Sequence, residues 1–468
     1  MVLVYARLLS LWLAALIGLL PSVALAHASD QGFVLLLPTE AYILSGCLAV
    51  ALTVLMSAVL PDAWTTRLFT SLRLGTVPDL HRLKTVTSCL GFAALVGLVW
   101  LGMTGPRDPL GNLLPLTIWT LWWAVFVVVQ GCCGDLWSWI SPFHGPHRVL
   151  LGPQARPLLR LPDRLGHWPA VAIFLAAMIF AFTDLAPDDP ARLARVVAGY
   201  WLVTFAAMTL FGRNDWLHRG EPFTLLLTLF ASLAPLQGRA GAWRFGLPGW
   251  CTLTLPSPSI SLAVFCLILL GTGSFDGLNE TFWWLARLGI NPLEFPGRSA
   301  VVLPGILGLL GVNLLLIAIF AGCVWLGQQL AGVPVPFAAA FGRLALSILP
   351  IALGYHLAHY LGGVLVNSQY ALAALSDPFA RGDDLLGLGQ FYVTTGFFNT
   401  RDTVRLLWLT QAGAIVSAHV LAVLMAHRAA IDLYGGGRRA LRSQIPLSAF
   451  MIAYTLFGLW LLASPRGA

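Results

Sequence analysis

The chain has 468 residues and a net charge of +7; 58% of it is hydrophobic and only 10% is Asp, Glu, Lys or Arg. Soluble domains carry about a quarter of such charged residues, so a water-soluble globular enzyme is excluded, and no soluble domain of useful size fits between the apolar runs. The basic excess is ordinary for the loops on one side of a membrane and does not point to nucleic acid.

The first run has Arg7, then Leu8 to Leu20, then Pro21 and Ala24-Leu25-Ala26. These are the three zones of a secretory signal peptide, with cleavage expected after Ala26. Residues 27–468 then form a single transmembrane helical domain that begins at His27. A terminal amine beside an imidazole can chelate a metal such as copper, so His27 is a candidate ligand.

Eleven charge-free stretches follow: Glu40 to Asp62, Lys84 to Arg107, Asp108 to Asp135, Arg164 to Asp184, Arg195 to Arg213, Glu221 to Arg239, Arg244 to Asp276, Arg298 to Arg343, Arg343 to Asp377, Arg405 to Arg428, and Arg442 to Arg466. Crossing about 30 Å of hydrocarbon takes roughly 20 helical residues, and backbone polar groups in lipid must be satisfied within the segment. The expected fold is therefore an all-α polytopic bundle with about 10–11 spanning helices in a bacterial inner membrane.

Loops rich in Lys and Arg mark the cytoplasmic side. Arg67 to Lys84, Arg148 to Arg164 and Arg428 to Arg442 read as cytoplasmic, and the Asp184, Asp188, Asp189 loop as periplasmic. The alternation closes if one stretch does not cross. Pro222 to Leu236 is short and begins and ends near Pro, which predicts a re-entrant or interfacial segment, ten crossings and both mature ends outside. The loops Asp276 to Arg298 and Asn367 to Asp402 then face the periplasm, and most of their acids are expected to be solvated.

Within these stretches, Gly271-Thr272-Gly273-Ser274-Phe275-Asp276-Gly277 reads as a tight turn at a helix end; it lacks the Lys and preceding strand of a phosphate-binding loop. Trp137 to Arg148 reads as an aromatic, basic segment lying in the cytoplasmic interface, with His144 and His147 interfacial. Of the seven cysteines only the adjacent Cys132-Cys133 is unusual, and its spacing suits neither zinc nor a disulfide framework.

The histidines are the main chemical signal. His356 and His359 stand three residues apart, on one helical face, and His419 lies near the middle of the next helix. Ionisable groups at membrane depth are functional by default. Three imidazoles from two helices suit an open metal site for a divalent transition metal such as Zn or Cu; they suit equally a proton relay or hydrogen bonding between helices. Asp276 and Asp377 are the carboxylates placed to orient a water attacking from such a metal.

Several motifs taken together resemble a family of polytopic bacterial membrane proteins known as fenitrothion hydrolases. They are the Ala-His junction after the signal, Arg164-Leu165-Gly166-His167-Trp168-Pro169-Ala170, Phe211-Gly212-Arg213 with Trp216, Arg219-Gly220-Glu221, Ser274-Phe275-Asp276-Gly277-Leu278, Ala358-His359-Tyr360, Ser376-Asp377-Pro378 and Leu441-Arg442-Ser443-Gln444-Ile445-Pro446. The resemblance spans nearly the whole chain and implies hydrolysis of organophosphate triesters at the membrane. It carries no set of catalytic residues with it. Three roles follow for comparison: a hydrolase with a histidine-bound metal and a small-molecule substrate, a transporter or metal-handling permease, and an accessory subunit of another membrane complex.

Overall fold

The computed structural model describes residue 34 and residues 37–78, 80–291 and 297–465. The signal segment and His27 lie outside the described residues.

The elements in chain order are α1 (Thr39–Val59), strand β1 (Leu72–Thr76), α2 (His81–Thr104), α3 (Leu113–Cys133), α4 (Trp168–Thr183), α5 (Pro190–Phe211), α6 (Pro222–Ala231), strands β2 (Leu236–Arg239) and β3 (Ala242–Phe245), α7 (Ile260–Asn279), α8 (Arg298–Ala331), α9 (Phe337–Ser376), α10 (Arg401–Tyr434) and α11 (Arg438–Ala463). Their starts follow from local chemistry. Asn112, Asp189, Ser259 and Thr400 each accept a hydrogen bond from a backbone N–H of the first turn, and Pro stands at the first position of α5 and α6.

Among the described residues nine helices are long and apolar enough to cross a membrane. The chain is a multi-pass all-α membrane protein. Hydrogen bonds between elements sort the helix ends onto two faces. On one, Gly437 N–H donates to Asp62 at 2.6 Å, His167 N–H to Ser261 at 2.9 Å, and Arg343 donates to the carbonyls of Leu253 and Leu255. On the other, Arg298 reaches the carbonyl of Phe182 at 3.2 Å and Phe282 N–H that of Pro465 at 3.1 Å. The first face carries the basic loops at 60–82, 134–167, 212–221 and 435–442; the second gathers Asp184, Asp188, Asp189, Asp377, Asp383, Asp384 and Asp402.

α4 has only 16 residues, yet His167 at its start and Phe182 at its end bind opposite faces, so among the described residues it completes ten helices running between them. α6 does not cross. Its ten residues span about 15 Å, half the hydrocarbon thickness. It starts on the basic face, where Glu221 accepts from Phe223 N–H at 3.0 Å and Thr224 N–H at 2.6 Å. The chain then returns through β2 to the same face. There β1, β3 and β2 form an antiparallel sheet in that order, with Arg73 opposite Arg244. Strands of four or five residues leave too short a pattern for the sequence reading to detect.

The central post is α7, with 83% of its most apolar stretch buried. It packs against α4, α8, α9 and α11, whereas α1 and α2 turn Leu44, Leu48, Leu52, Val86 and Leu90 outward as lipid-facing apolar surface. α7 also corrects the reading of Gly271 to Gly277 as a turn, because the helix runs through to Asn279. A Cβ on Gly277 would collide with the Tyr355 hydroxyl. Glycine is required there because α7 and α9 approach closely.

Candidate functional site

α7 and α9 run in the same direction, and their facing sides carry a cluster of buried polar groups. Asp276 is expected from sequence in a periplasmic loop; it stands instead inside α7, with its side chain 10% exposed against 8% for His359. The charge that ends the apolar run in the sequence is compensated by α9. His359 Nε2 lies 3.1 Å from Asp276 Oδ2, and the Tyr360 hydroxyl donates to the same oxygen at 2.6 Å. Two donors on a carboxylate are what make its burial tolerable.

The second half of the cluster comes from α3. Its first turns widen into a π-helix over Leu116–Phe126, a form that recurs at functional sites. Trp123, in that segment, donates Nε1–H to the Tyr360 hydroxyl at 2.8 Å. Its carbonyl lies 2.8 Å from His356 Nε2, and since a carbonyl only accepts, this nitrogen carries the proton. A directed series results: Trp123 donates to Tyr360, Tyr360 to Asp276, and His359 converges on the same carboxylate. Ring contacts keep the α9 residues in place, with Tyr355 stacked on His359 at 5.8 Å and His356 edge-on to Tyr360 at 4.7 Å.

The cluster opens on a small cavity of about 30 Å³, the space of one or two water molecules. Phe174, Phe182, Leu226, Phe230, Leu269 and Leu270 form its apolar wall, and Trp123, Thr272, Asp276, Tyr355, His356, His359 and Tyr360 its polar end. Leu226 and Phe230 come from the re-entrant α6, so the segment that fails to cross builds the site. Asp276 is the one acidic residue in the lining.

Of the residues singled out in the sequence, the structure brings together His356, His359 and Asp276. His419 lies elsewhere, on α10: its Nδ1 donates to the carbonyl of Ile415, one turn back on its own helix, at 2.8 Å, and its ring is 6.4 Å from that of Tyr454. Asp377 lies in the loop after α9, where its carboxylate accepts the N–H groups of Arg381 at 2.9 Å and Gly382 at 2.8 Å. Those donors hold it below the usual carboxylate range. Among the described residues, no group of three His, Cys, Asp or Glu side chains is arranged to hold a metal ion. Tyr360 escaped the sequence reading, although Gly354-Tyr355-His356-Leu357-Ala358-His359-Tyr360 shows it four residues after His356, on the same face. Trp123 gave no signal, being 237 residues away in sequence from the hydroxyl it binds.

Comparison with protein-family models, with characterised proteins and with solved structures gives no match to this chain.

Proposed function

We propose that the protein is a proton-coupled permease of a cytoplasmic membrane, with its basic face inward, and that its small cavity, closed in this structure, opens to take a small organic cation with an apolar body. The observation that carries this reading is the buried Asp276 carboxylate, held by His359 and Tyr360 at the end of an aromatic cavity. In low dielectric a carboxylate must be paired or protonated. A cation entering the cavity therefore displaces the proton shared by Asp276 and His359, and a returning proton displaces the cation. Aromatic faces at Trp123, Phe174, Phe182 and Phe230 favour a positive charge with an apolar body.

The backbone supports the same reading. Transporter sites are built where helices are discontinuous near the bilayer middle. Here the site adjoins the re-entrant α6 and the π-helical part of α3, and α9 passes through a 3-10 turn at Leu346–Ile348 before reaching it.

The same pair favours a second reading, which accords with the resemblance to fenitrothion hydrolases. Asp276 orients His359, whose ring would take a proton from water attacking an aryl phosphotriester seated among the aromatic side chains.

Titrating purified protein with benzyltrimethylammonium in weak buffer separates the two. The cation has no proton of its own, so a permease site releases about one proton per cation bound, and Asp276→Asn abolishes the release. Binding without proton release contradicts the permease reading. Asp276-dependent release of 4-nitrophenol from diethyl 4-nitrophenyl phosphate would establish the hydrolase.

A further inference from the structure

The basic face holds a second cluster, on elements that do not line the cavity. The short helix His144–Leu151 sits in a notch beside α2 and α5: Gly145 N–H donates to Ser88 Oγ at 2.6 Å, and the His147 ring packs 5.6 Å from Phe205. Lys84 on α2 bonds Ser138 at 2.8 Å and lies 5.1 Å over the Trp139 ring. Gly212, at φ 90°, turns the chain at the end of α5 so that Arg213 opens the next short helix beside this group. Arg213, Arg148 and Lys84 all lie near enough to His144 to act on its charge, and burial together with these three neighbours pushes its protonation down to about 4.

The cluster is positive and uncompensated: no ion pair to Lys84, Arg148 or Arg213 occurs among the described residues, whereas Arg192, Arg219, Arg343 and Arg428 each face an Asp. Immediately beside it, Val149, Leu150, Leu158 and Leu159 stand exposed at 67%, 68%, 73% and 54%. Leu159 N–H is tied to the carbonyl of Leu210 at 2.7 Å, which fixes this apolar edge against the end of α5. Cations on the basic face with an exposed apolar edge beside them match a headgroup phosphate joined to acyl chains; a free phosphate would need no such edge.

We propose that Lys84, Arg148 and Arg213 bind the phosphate headgroup of an anionic phospholipid. The site uses no residue of the cavity and stands whether or not the permease reading does. A zwitterionic lipid brings its own cation into a cluster that is already positive, so the selectivity is for net negative headgroups.

The test is native mass spectrometry of the full-length protein with dioleoylphosphatidylglycerol and dioleoylphosphatidylethanolamine at equal concentration. The wild type is expected to retain the anionic lipid in at least about tenfold preference, and Arg148→Gln or Arg213→Gln to lose about fivefold each. Arg439→Gln, exposed on the same face outside the cluster, keeps the preference. Hydrogen exchange on the wild type, which needs no variant to fold, is expected to show protection by phosphatidylglycerol at residues 138–151 and 210–216. Equal retention of the two lipids, protection only elsewhere, or equal loss in Arg439→Gln would overturn the proposal. So would displacement of the lipid by millimolar inorganic phosphate, which would identify a free anion as the ligand.

Discussion

Trp123 and Tyr360 are joined at 2.8 Å by an indole N–H to hydroxyl hydrogen bond, and the same tryptophan receives His356 on its carbonyl at 2.8 Å. One residue of the π-helical segment therefore holds two residues of α9, and through Tyr360 it fixes the Asp276 carboxylate. The position of the one acid in the cavity depends on a contact between α3 and α9.

Replacing Tyr360 with Phe removes that link while keeping the ring. The Trp123 N–H loses its acceptor and Asp276 one of its donors, so the variant is expected to be less stable by about 1–3 kcal/mol. Chemical denaturation of the two proteins in the same detergent measures the difference. Equal midpoints would show that the hydrogen bond contributes nothing.

Gly277→Ala places a methyl group where the Tyr355 hydroxyl now lies, whereas Gly311→Ala, on α8, meets nothing within 4 Å. The first is expected to cost about 1–3 kcal/mol by forcing α7 and α9 apart, and the second to be neutral or slightly stabilising because alanine is the better helix former. The contrast is read from thermal unfolding of both variants. Similar melting temperatures would refute the close approach.

How far the site was legible depends on the residue. The ten-helix bundle and the re-entrant stretch at Pro222 follow from apolar run lengths, the two prolines and the distribution of arginines. The pairing of His356 with His359 follows from a three-residue spacing. Asp276 was visible as a residue but misplaced in a loop, because a carboxylate normally ends an apolar run and its compensating partners lie on another helix. His419 looked equivalent to the other two histidines, yet its ring turns to its own backbone at Ile415. Helix order alone does not say which face a side chain adopts, and the cavity, made by α3, α4, α6, α7 and α9, has no local signature at all.

The histidines are accordingly not interchangeable. His359→Gln removes the partner of Asp276 and is expected to abolish coupled transport. His419→Asn, outside the cavity, should leave transport within about twofold of the wild type, as expected for a site not shared with it. Loss of function in both at equal expression would restore the idea of a single three-histidine centre.

The loop after α9 has its own pH dependence. Asp377 and Asp384 are both held below the ordinary carboxylate range by backbone N–H donors, from Arg381 and Gly382 and from Leu388 and Gly389. Lowered folded-state values mean that the ordered loop binds fewer protons than the disordered one. Its order is thus full at neutral pH, above the unfolded value, and is lost as pH falls through the depressed folded values. Limited proteolysis should cut between residues 377 and 400 faster in acid, and Asp384→Asn should show the fast cleavage already at neutral pH. Cleavage independent of pH would contradict this.

The central claim is that protons and an organic cation compete for Asp276. Uptake of radiolabelled benzyltrimethylammonium into proteoliposomes with an acidic interior tests it most directly. The account predicts accumulation that collapses when nigericin dissipates the pH gradient and that falls about a hundredfold or more in Asp276→Asn, the scale of losing an essential proton-transfer group. Accumulation that ignores the gradient, or that survives in Asp276→Asn, would contradict it.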